Sequence, residues 1–250
     1  MNFALILVLL SAITGLGYLI DVLFFARHRQ EGEQPGRILE FCRSFFPVFF
    51  IVLLLRSFLV EPFRIPSGSL EPTLNVGDFV AVNKFAYGLR LPVLESKIIP
   101  IANPKKGQIA VFRWPPDPSY DYIKRVVGVP GDTVEYRNKV LYINGKKMEQ
   151  TFVEYTTDES SGRTVAKYRE NLAGVSHDIY VNPNVPAFDF KITVPQSQYF
   201  MMGDNRDDSA DSRYWGYVAE EYLRGKAFLI WMSWNSKVSG VRWSRIGTII

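Results

Sequence analysis

The chain has 250 residues, of which 47 % are apolar and 22 % are charged, a composition typical of a folded protein. Its single cysteine, Cys42, excludes a disulfide within the chain. With only His28 and His177 beside that cysteine, we expect no metal site built on cysteine or histidine ligands. The net charge of +4 is too small to indicate a nucleic-acid partner.

Apolar residues are concentrated at the N-terminal end, where they make up roughly 62 % of residues 1–60 and about 42 % of the remainder. The mean hydropathy of −0.01 therefore averages a membrane segment with a water-soluble domain. Residues 1–20 carry no charged side chain, and a helix of that length spans a bilayer. We predict a first transmembrane helix over residues 1–26. A cleaved secretory signal is the alternative, but no basic residue precedes the apolar run and no cleavage site follows it.

A second apolar run predicts a second transmembrane helix over residues 44–60, although it is short and is interrupted by Arg56. A buried or interfacial helix is the alternative for this run. Residues 27–43 would form a loop between the two helices, and by the positive-inside rule its arginines indicate a cytoplasmic location. These arginines are Arg27, Arg29, Arg37 and Arg43. The rest of the chain would then be extracytoplasmic.

Beyond residue 60, short runs rich in Val, Ile, Tyr and Phe alternate with turn residues, which predicts a mostly β, antiparallel domain. The pair Asn144-Gly145 supplies two residues that tolerate positive φ and predicts a tight hairpin. Residues 150–195 are polar and rich in turn residues, with little sustained pattern, and we interpret them as an insertion or secondary lobe. The predicted strands cover 79–85, 108–114, 122–127 and 133–136.

The scarcity of histidine limits the chemistry of the outside domain. A site based on histidine would have to use His177, which lies in the irregular lobe with no outside cysteine as a partner. Two kinds of catalytic site remain: a serine nucleophile with a base other than histidine, or a pair of carboxylates. In residues 61–74, prolines bracket Ser67-Gly68-Ser69, so a stiff turn could present a serine hydroxyl. An ordinary linker turn is the alternative.

A lysine can act as the base only when it is neutral, which requires burial. Lys124 lies inside an apolar run, where the alternation of a strand places Tyr122 and Val126 on its face and Arg125 on the other. A solvent-exposed lysine is the alternative, and Lys84 in a similar strand is a rival candidate.

A dense polar cluster follows at residues 203–216. Between Asp204 and Arg213 it holds four aspartates, two arginines and two serines, which can form a charge-assisted network that fixes a loop. The alternatives are a solvated turn or a calcium loop, but the spacing of the aspartates does not match an EF-hand.

The three segments, in this order behind two apolar helices, resemble those of bacterial type I signal peptidases. Residues 66–69 resemble the nucleophile motif of that family, residues 122–132 its lysine motif and residues 203–213 its third motif. The resemblance implies Ser69 as the nucleophile and Lys124 as the general base. Ser67 and the Ser69 backbone N–H would form the oxyanion hole.

The resemblance also implies roles for further residues. Ser209 would orient Lys124, while Asp211, Arg213 and Arg206 would support the site. Shallow pockets for small side chains would be lined by apolar residues. These are Phe63, Ile65, Leu74, Tyr122 and Ile123.

The fold implied by the resemblance is an antiparallel β catalytic core over residues 61–132 and 198–250, with a second β lobe inserted over residues 133–197. A β-ribbon would lie between Tyr87 and Lys105. The activity implied is that of a membrane-anchored serine endopeptidase that removes signal peptides after small residues of the Ala-x-Ala type through an acyl-enzyme. Preproteins and membrane lipid would be its partners, without a cofactor or metal. Its location would be the bacterial inner membrane, crossed more than once, with a periplasmic catalytic domain.

Two departures from the family pattern are Leu70, where Met is usual, and Asp208, where Asn is common; neither removes a proposed catalytic atom. Two other classes of function remain as alternatives. A non-catalytic, membrane-tethered binding or assembly protein would explain the anchor and the β domain but not the three motifs together. A self-cleaving regulator with a related serine–lysine site would need a DNA-binding segment in place of the apolar helices.

Overall fold

A computed structural model describes residues 3–25, 29, 35–58, 60–91 and 96–250. These residues divide into two compact units. The first comprises residues 1–60 and 88–100, and the second comprises residues 61–87 and 101–250. Of the predicted loop over residues 27–43, residues 27–28 and 30–34 lie outside the described residues, and His28 is among them.

The first unit contains helix α1 (Phe3–Ile20), which continues as a π-helical turn over Asp21–Phe25, and helix α2 (Arg37–Phe58). Within the described ranges, only Leu5–Phe25 is long and apolar enough to cross a membrane. The predicted first helix is therefore supported by length and composition, but a second membrane crossing is not. The start of α2 differs from the prediction, because its first two turns carry Arg37, Glu40 and Arg43, which the apolar pattern had assigned to the loop.

The two helices pack against each other through small and aromatic residues. The rings of Tyr18 and Phe46 are stacked with their centroids 5.8 Å apart. A Cβ atom on Gly17 would lie 2.5 Å from the sulfur of Cys42, so the glycine allows this close approach. Cys42 is consequently buried between helices. The same unit holds a two-stranded ribbon of β3 (Leu89–Arg90) and β4 (Lys97–Ile99), within the range where a ribbon was expected.

The second unit is built on a mostly antiparallel sheet of eight strands in the order β1-β2-β16-β5-β6-β14-β15, with β17 paired to β16. Alternating Val, Ile and Phe side chains bury one or both faces of the central strands. The prediction of a mostly β, antiparallel fold is confirmed. The strands are β1 (Val60–Arg64), β2 (Asp78–Asn83), β5 (Ile109–Arg113), β6 (Asp121–Gly128), β14 (Gln198–Met202), β15 (Val218–Ala219), β16 (Leu223–Asn235) and β17 (Gly240–Val241).

Two smaller sheets lie between β6 and β14 in the chain. A four-stranded sheet has the order β13-β7-β8-β9, and a three-stranded sheet has the order β10-β11-β12. The hairpin predicted at Asn144-Gly145 is confirmed, since the two residues have φ of 52° and 77°. The strands are β7 (Thr133–Arg137), β8 (Val140–Ile143), β9 (Lys146–Lys147), β10 (Gln150–Thr157), β11 (Thr164–Leu172), β12 (Val175–Val181) and β13 (Phe190–Thr193).

Residues 150–195 show little sustained pattern and are interpreted above as an insertion or secondary lobe, while the resemblance implies a β lobe over residues 133–197. Residues 150–181 are regular. They form the three antiparallel strands β10, β11 and β12. Strand β10 is exposed along most of its length, so it shows none of the apolar–polar alternation that a half-buried strand requires. Strand β10 is held as a strand by its pairing with β11, although its own sequence does not indicate one.

Short helical elements complete the second unit. A 3-10 turn covers Gly68–Leu70, and a one-turn helix α3 covers Ser212–Trp215. Further 3-10 turns cover Glu220–Tyr222 and Trp243–Arg245. The core beneath the first turn is a cluster of aliphatic side chains from β2, β5, β6 and β16 together with Leu70 and Leu74. This cluster fixes the position of the turn on the sheet.

Candidate active site

Ser69 lies in the middle of the 3-10 turn Gly68–Leu70, between the two flanking prolines. Backbone hydrogen bonds close the turn, from Glu71 N to Gly68 O at 3.0 Å and from Leu74 N to Leu70 O at 2.9 Å. Leu70 and Leu74 are completely buried in the core cluster. Ser69 itself is only 8 % exposed, so its hydroxyl is held in a fixed position at the floor of a cleft.

Lys124 reaches this hydroxyl from the middle of β6, where its backbone is paired with Ala110 of β5. Its Nζ donates a hydrogen bond to Ser69 Oγ, and the lysine is only 4 % exposed. Burial lowers the pKa of Lys124 to about 8, although the charges of Asp211 and Asp204 act in the opposite direction. A lysine with such a pKa is neutral in about a tenth of the molecules near pH 7 and can then accept a proton.

Ser67 stands at the start of the turn with an extended backbone and an exposed side chain. Its Oγ lies 3.4 Å from Ser69 Oγ, so the two hydroxyls open onto the same cleft. The N–H of Ser69 belongs to the first residues of the 3-10 turn, and such groups have no carbonyl partner inside their own helix. A hydroxyl and a backbone N–H are thus available beside the nucleophile candidate.

Ser209 is buried beside the serine turn, but its predicted contact with Lys124 is not present. Its Oγ has no hydrogen-bond partner within the described ranges. A Cβ on Gly203 would lie 2.3 Å from Ser209 Oγ and 2.4 Å from Ser69 O. Only a glycine at this position lets the loop after β14 come so close to the backbone of the turn.

Asp211, Arg213 and Arg206 form a network that fixes this loop. Asp211 is completely buried, accepts a hydrogen bond from the Gly203 N–H at 3.0 Å and caps α3. Arg213 donates to both carboxylate oxygens of Asp211 at 2.8 Å, and also to the carbonyl of Arg206. The Arg206 side chain points away and forms a buried ion pair with Glu170 of β11. The network therefore ties the loop to itself and to the three-stranded sheet.

The cleft over Ser69 has a volume of about 380 Å³, and three of the five apolar residues expected to bind substrate line it. These are Phe63, Tyr122 and Ile123. The structure places Ile65 and Leu74 elsewhere, since both are buried in the core cluster. Their apolar character therefore reflects packing beneath the cleft rather than lining of its surface.

Sequence reasoning missed Asn205, which holds the serine turn from behind. Its backbone N–H donates to Ser69 O at 3.1 Å, and its side-chain amide donates to Gly68 O at 3.3 Å. It also missed the buried pair in which Arg125 donates to both oxygens of Asp204 at 2.7 and 2.6 Å. The dense third motif was the only signal for either contact, because the partners lie far apart in the chain.

His177 and Lys84, the other two basic candidates from the sequence, lie away from this arrangement. His177 is buried near Glu170 and Asp204 and does not line the cleft. Burial lowers the pKa of His177 to about 4, so it is neutral at physiological pH. Lys84 is partly exposed and forms an ion pair with Glu61 at 3.2 Å.

A serine hydroxyl, a buried lysine and a narrow cleft of this kind are what a serine hydrolase without histidine requires. The family model described as "Signal peptidase, peptidase S26" matches residues 38–234. The chain belongs to this family of peptidases and is a hydrolase. The resemblance identified from the sequence and the prediction of a peptidase are both confirmed.

Two relatives that match over the full length of this chain agree with this assignment. A signal peptidase I from Pseudomonas aeruginosa is 45 % identical, and the match covers 100 % of this chain and 99 % of the relative. A signal peptidase I from Haemophilus influenzae is 33 % identical over 100 % of this chain and 92 % of its own length. A crystal structure of a signal peptidase I from Enterococcus faecalis is 31 % identical, with a TM-score of 0.34, over 50 % of this chain and 97 % of that one.

Proposed function

We propose that the chain removes signal peptides from exported preproteins, with Ser69 as the nucleophile and Lys124 as the general base. The observation that carries the proposal is the hydrogen bond between Lys124 Nζ and Ser69 Oγ in a site where the lysine is almost completely buried. A buried amine with a lowered pKa can accept the serine proton, which an exposed lysine cannot do at neutral pH.

The reaction then proceeds in two steps. Neutral Lys124 takes the proton from Ser69 Oγ as that oxygen attacks the carbonyl carbon of the scissile peptide bond. The Ser69 N–H and the Ser67 hydroxyl stabilise the resulting oxyanion. Collapse of the tetrahedral intermediate breaks the C–N bond, and the protonated lysine delivers its proton to the leaving amine. A water molecule then gives a proton to Lys124 as its oxygen attacks the acyl carbon. Collapse of the second tetrahedral intermediate breaks the bond to Ser69 Oγ, which takes the proton back from Lys124.

The substrate would bind as an extended strand along the cleft. Strand β14 pairs with β6 only at Arg125, Val126 and Gly128, so the segment Asp121–Lys124 has no strand partner on that side within the described ranges. Such an edge can accept a peptide by backbone hydrogen bonding. The narrow apolar cleft supports a preference for small side chains before the cut, as in Ala-x-Ala sequences.

We propose further that α1 anchors the chain in the bacterial inner membrane and that the β domain acts on the periplasmic side. In this arrangement residues 61–132 and 198–250 form the catalytic core, and residues 133–197 form an inserted lobe. Membrane lipid is then a partner together with the preprotein.

The test is cleavage of a preprotein by the purified full-length chain in detergent. We expect a single cut after an Ala-x-Ala sequence, identified by the mass of the released product, and a rate that rises with an apparent pKa near 8. The matched control is Ser69→Ala, which removes only the hydroxyl and should be inactive. Equal cleavage by this variant would refute the assignment of the nucleophile.

A further inference from the structure

A second titratable cluster lies directly behind the serine turn. Glu71, two residues after Ser69, is only 2 % exposed. One of its carboxyl oxygens accepts a hydrogen bond from the Ser160 N–H at 3.3 Å. The other, Oε1, is buried and, if the group is ionised, has no hydrogen-bond donor within the described ranges. The carboxyl group also contacts that of Asp158, in the loop between β10 and β11.

Asp158, unlike Glu71, is surrounded by hydrogen-bond donors. Five hydrogen bonds reach its two oxygens, from the N–H and hydroxyl groups of Ser160 and Ser161 and from the Asn205 side-chain amide, at 2.8 to 3.2 Å. Its negative charge is therefore well stabilised. A second buried negative charge in contact with it would be unfavourable, so the pair is most stable when it holds one proton.

We propose that Glu71 keeps its proton and donates it to Asp158, and that this hydrogen bond makes Glu71 a positioning residue for the Ser69 turn. When Glu71 is protonated, one of its two carboxyl oxygens carries a hydrogen that it can donate to Asp158. An ionised Glu71 has no hydrogen to donate. It also joins the segment that carries Ser69 to the inserted lobe.

The surrounding contacts show how the effect reaches Ser69. Ser160 Oγ lies 2.0 Å from where a Cβ on Gly68 would stand, so the loop of the lobe presses directly on the serine turn. The Asn205 amide bridges Asp158 at 2.9 Å and Gly68 O at 3.3 Å. Repulsion between Glu71 and Asp158 would displace the same loop and the same amide that hold the turn.

The electrostatics agree with this geometry. Burial, followed by the hydrogen bond to Asp158 and its charge, raises the pKa of Glu71 well above its usual range. Hydrogen bonds from Glu71, Asn205 and the two serines lower the pKa of Asp158 in spite of its burial. Other groups that act on Glu71 or on the pair are Glu159, which is ion-paired with Arg242 at 3.3 Å, and Tyr180, whose pKa is raised to about 12.

The sign of the effect follows from these shifts. The folded state holds the Glu71 proton more tightly than the unfolded state does, so its contribution to stability is complete below the usual pKa of glutamate. That contribution is lost as pH rises through the raised pKa. Precise placement of Ser69 should be lost over the same alkaline range.

The experiment compares the full-length chain with Glu71→Gln, whose amide donates a hydrogen bond but cannot ionise. One of the two readouts of this experiment, kcat/KM, rests on the proposed function. The ratio of kcat/KM between variant and parent, measured from about pH 6 to about pH 10, cancels the titration of Lys124, which both share. We expect a ratio within about twofold of one near pH 6 and a rise to about tenfold at the alkaline end.

Glu71→Met is the matched control, because it has similar volume but no donor. It should cleave more slowly than Glu71→Gln at every pH, since the turn is no longer tied to Asp158. The second readout is the melting temperature over the same range, which requires no activity. That of the parent should fall at alkaline pH relative to Glu71→Gln.

A ratio and a difference in melting temperature that do not change with pH would overturn the proposal. Failure of all variants, parent included, to cleave any preprotein would count against the proposed function. In that case the melting temperatures would still decide the protonation of Glu71.

Discussion

Lys124 and Arg125 are consecutive residues of one strand, equally buried at 4 % exposure, yet they are held in different ways. Arg125 faces a carboxylate and donates two hydrogen bonds to Asp204, as well as one to Gly107 O at 2.6 Å. Lys124 faces a hydroxyl and forms no ion pair within the described ranges. The comparison shows that burial alone does not determine whether a basic side chain stays charged. A carboxylate partner stabilises the charge of Arg125, whereas a hydroxyl partner leaves Lys124 able to lose its proton.

The largest expected effect is on activity, from Lys124→Met, which removes the amine and keeps an unbranched side chain of similar length. The cleavage rate should fall by about 10³-fold or more, because the carboxylates that line the cleft, Asp121 and Asp208, form no hydrogen bond with Ser69 Oγ among the residues that the structure describes. The measurement is kcat/KM with a preprotein substrate. Full activity in this variant would show that Lys124 is not the base.

Arg125→Met should have the largest effect on stability. It leaves Asp204 buried without its counter-charge, which costs about 3–5 kcal/mol of the free energy of unfolding. Urea denaturation followed by tryptophan fluorescence measures the loss. The double variant with Asp204→Asn should recover part of it, and an equal loss in the double variant would contradict the ion-pair explanation.

The same substitution at Lys124 should act in the opposite direction on stability. The folded-state pKa of Lys124 is about 8 and lies below the value of 10.5 for an unperturbed lysine, so the parent bears the cost of a buried charge at neutral pH. Lys124→Met should be more stable by ~1–3 kcal/mol below pH 8. The advantage should shrink as pH rises from 8 to 10.5, since the folded parent then loses its proton first. A difference that stays constant over this range would argue against a buried, titrating amine.

The smallest expected effect is that of Lys84→Met. This lysine is partly exposed and its ion pair with Glu61 is open to solvent, so the change in stability should be at most ~1 kcal/mol. The cleavage rate should be unchanged. A large loss of activity in Lys84→Met would mean that burial beside Ser69 is not what makes a lysine of this chain catalytic.

Local patterns in the sequence were sufficient for several parts of the fold and candidate site. Strand periodicity separated Lys124 from Arg125, and the two prolines indicated a stiff turn around Ser69. Neither pattern could show what covers each face of a strand. For this reason the Arg125–Asp204 pair was missed, and Ile65 and Leu74 were expected in the cleft although they lie beneath it.

Long-range pairing explains most of what could not be predicted. Glu71 and Asp158 are brought together by strands whose own residues show little pattern, as in β10. The start of α2 was placed too late because its first two turns are charged, and a helix can be polar at one end. In each case the information lies in the partner segment rather than in the local sequence.

The order of strands in the main sheet has a consequence for how the chain is made. Strand β16, near the C-terminus, is inserted between β2 and β5, which are synthesised more than a hundred residues earlier. Until β16 is available, both earlier strands present open edges that favour wrong pairing or aggregation. The sheet therefore closes only after nearly the whole chain has been translated, and a protein truncated before β16 should be cleared as misfolded rather than persist as a partly active fragment.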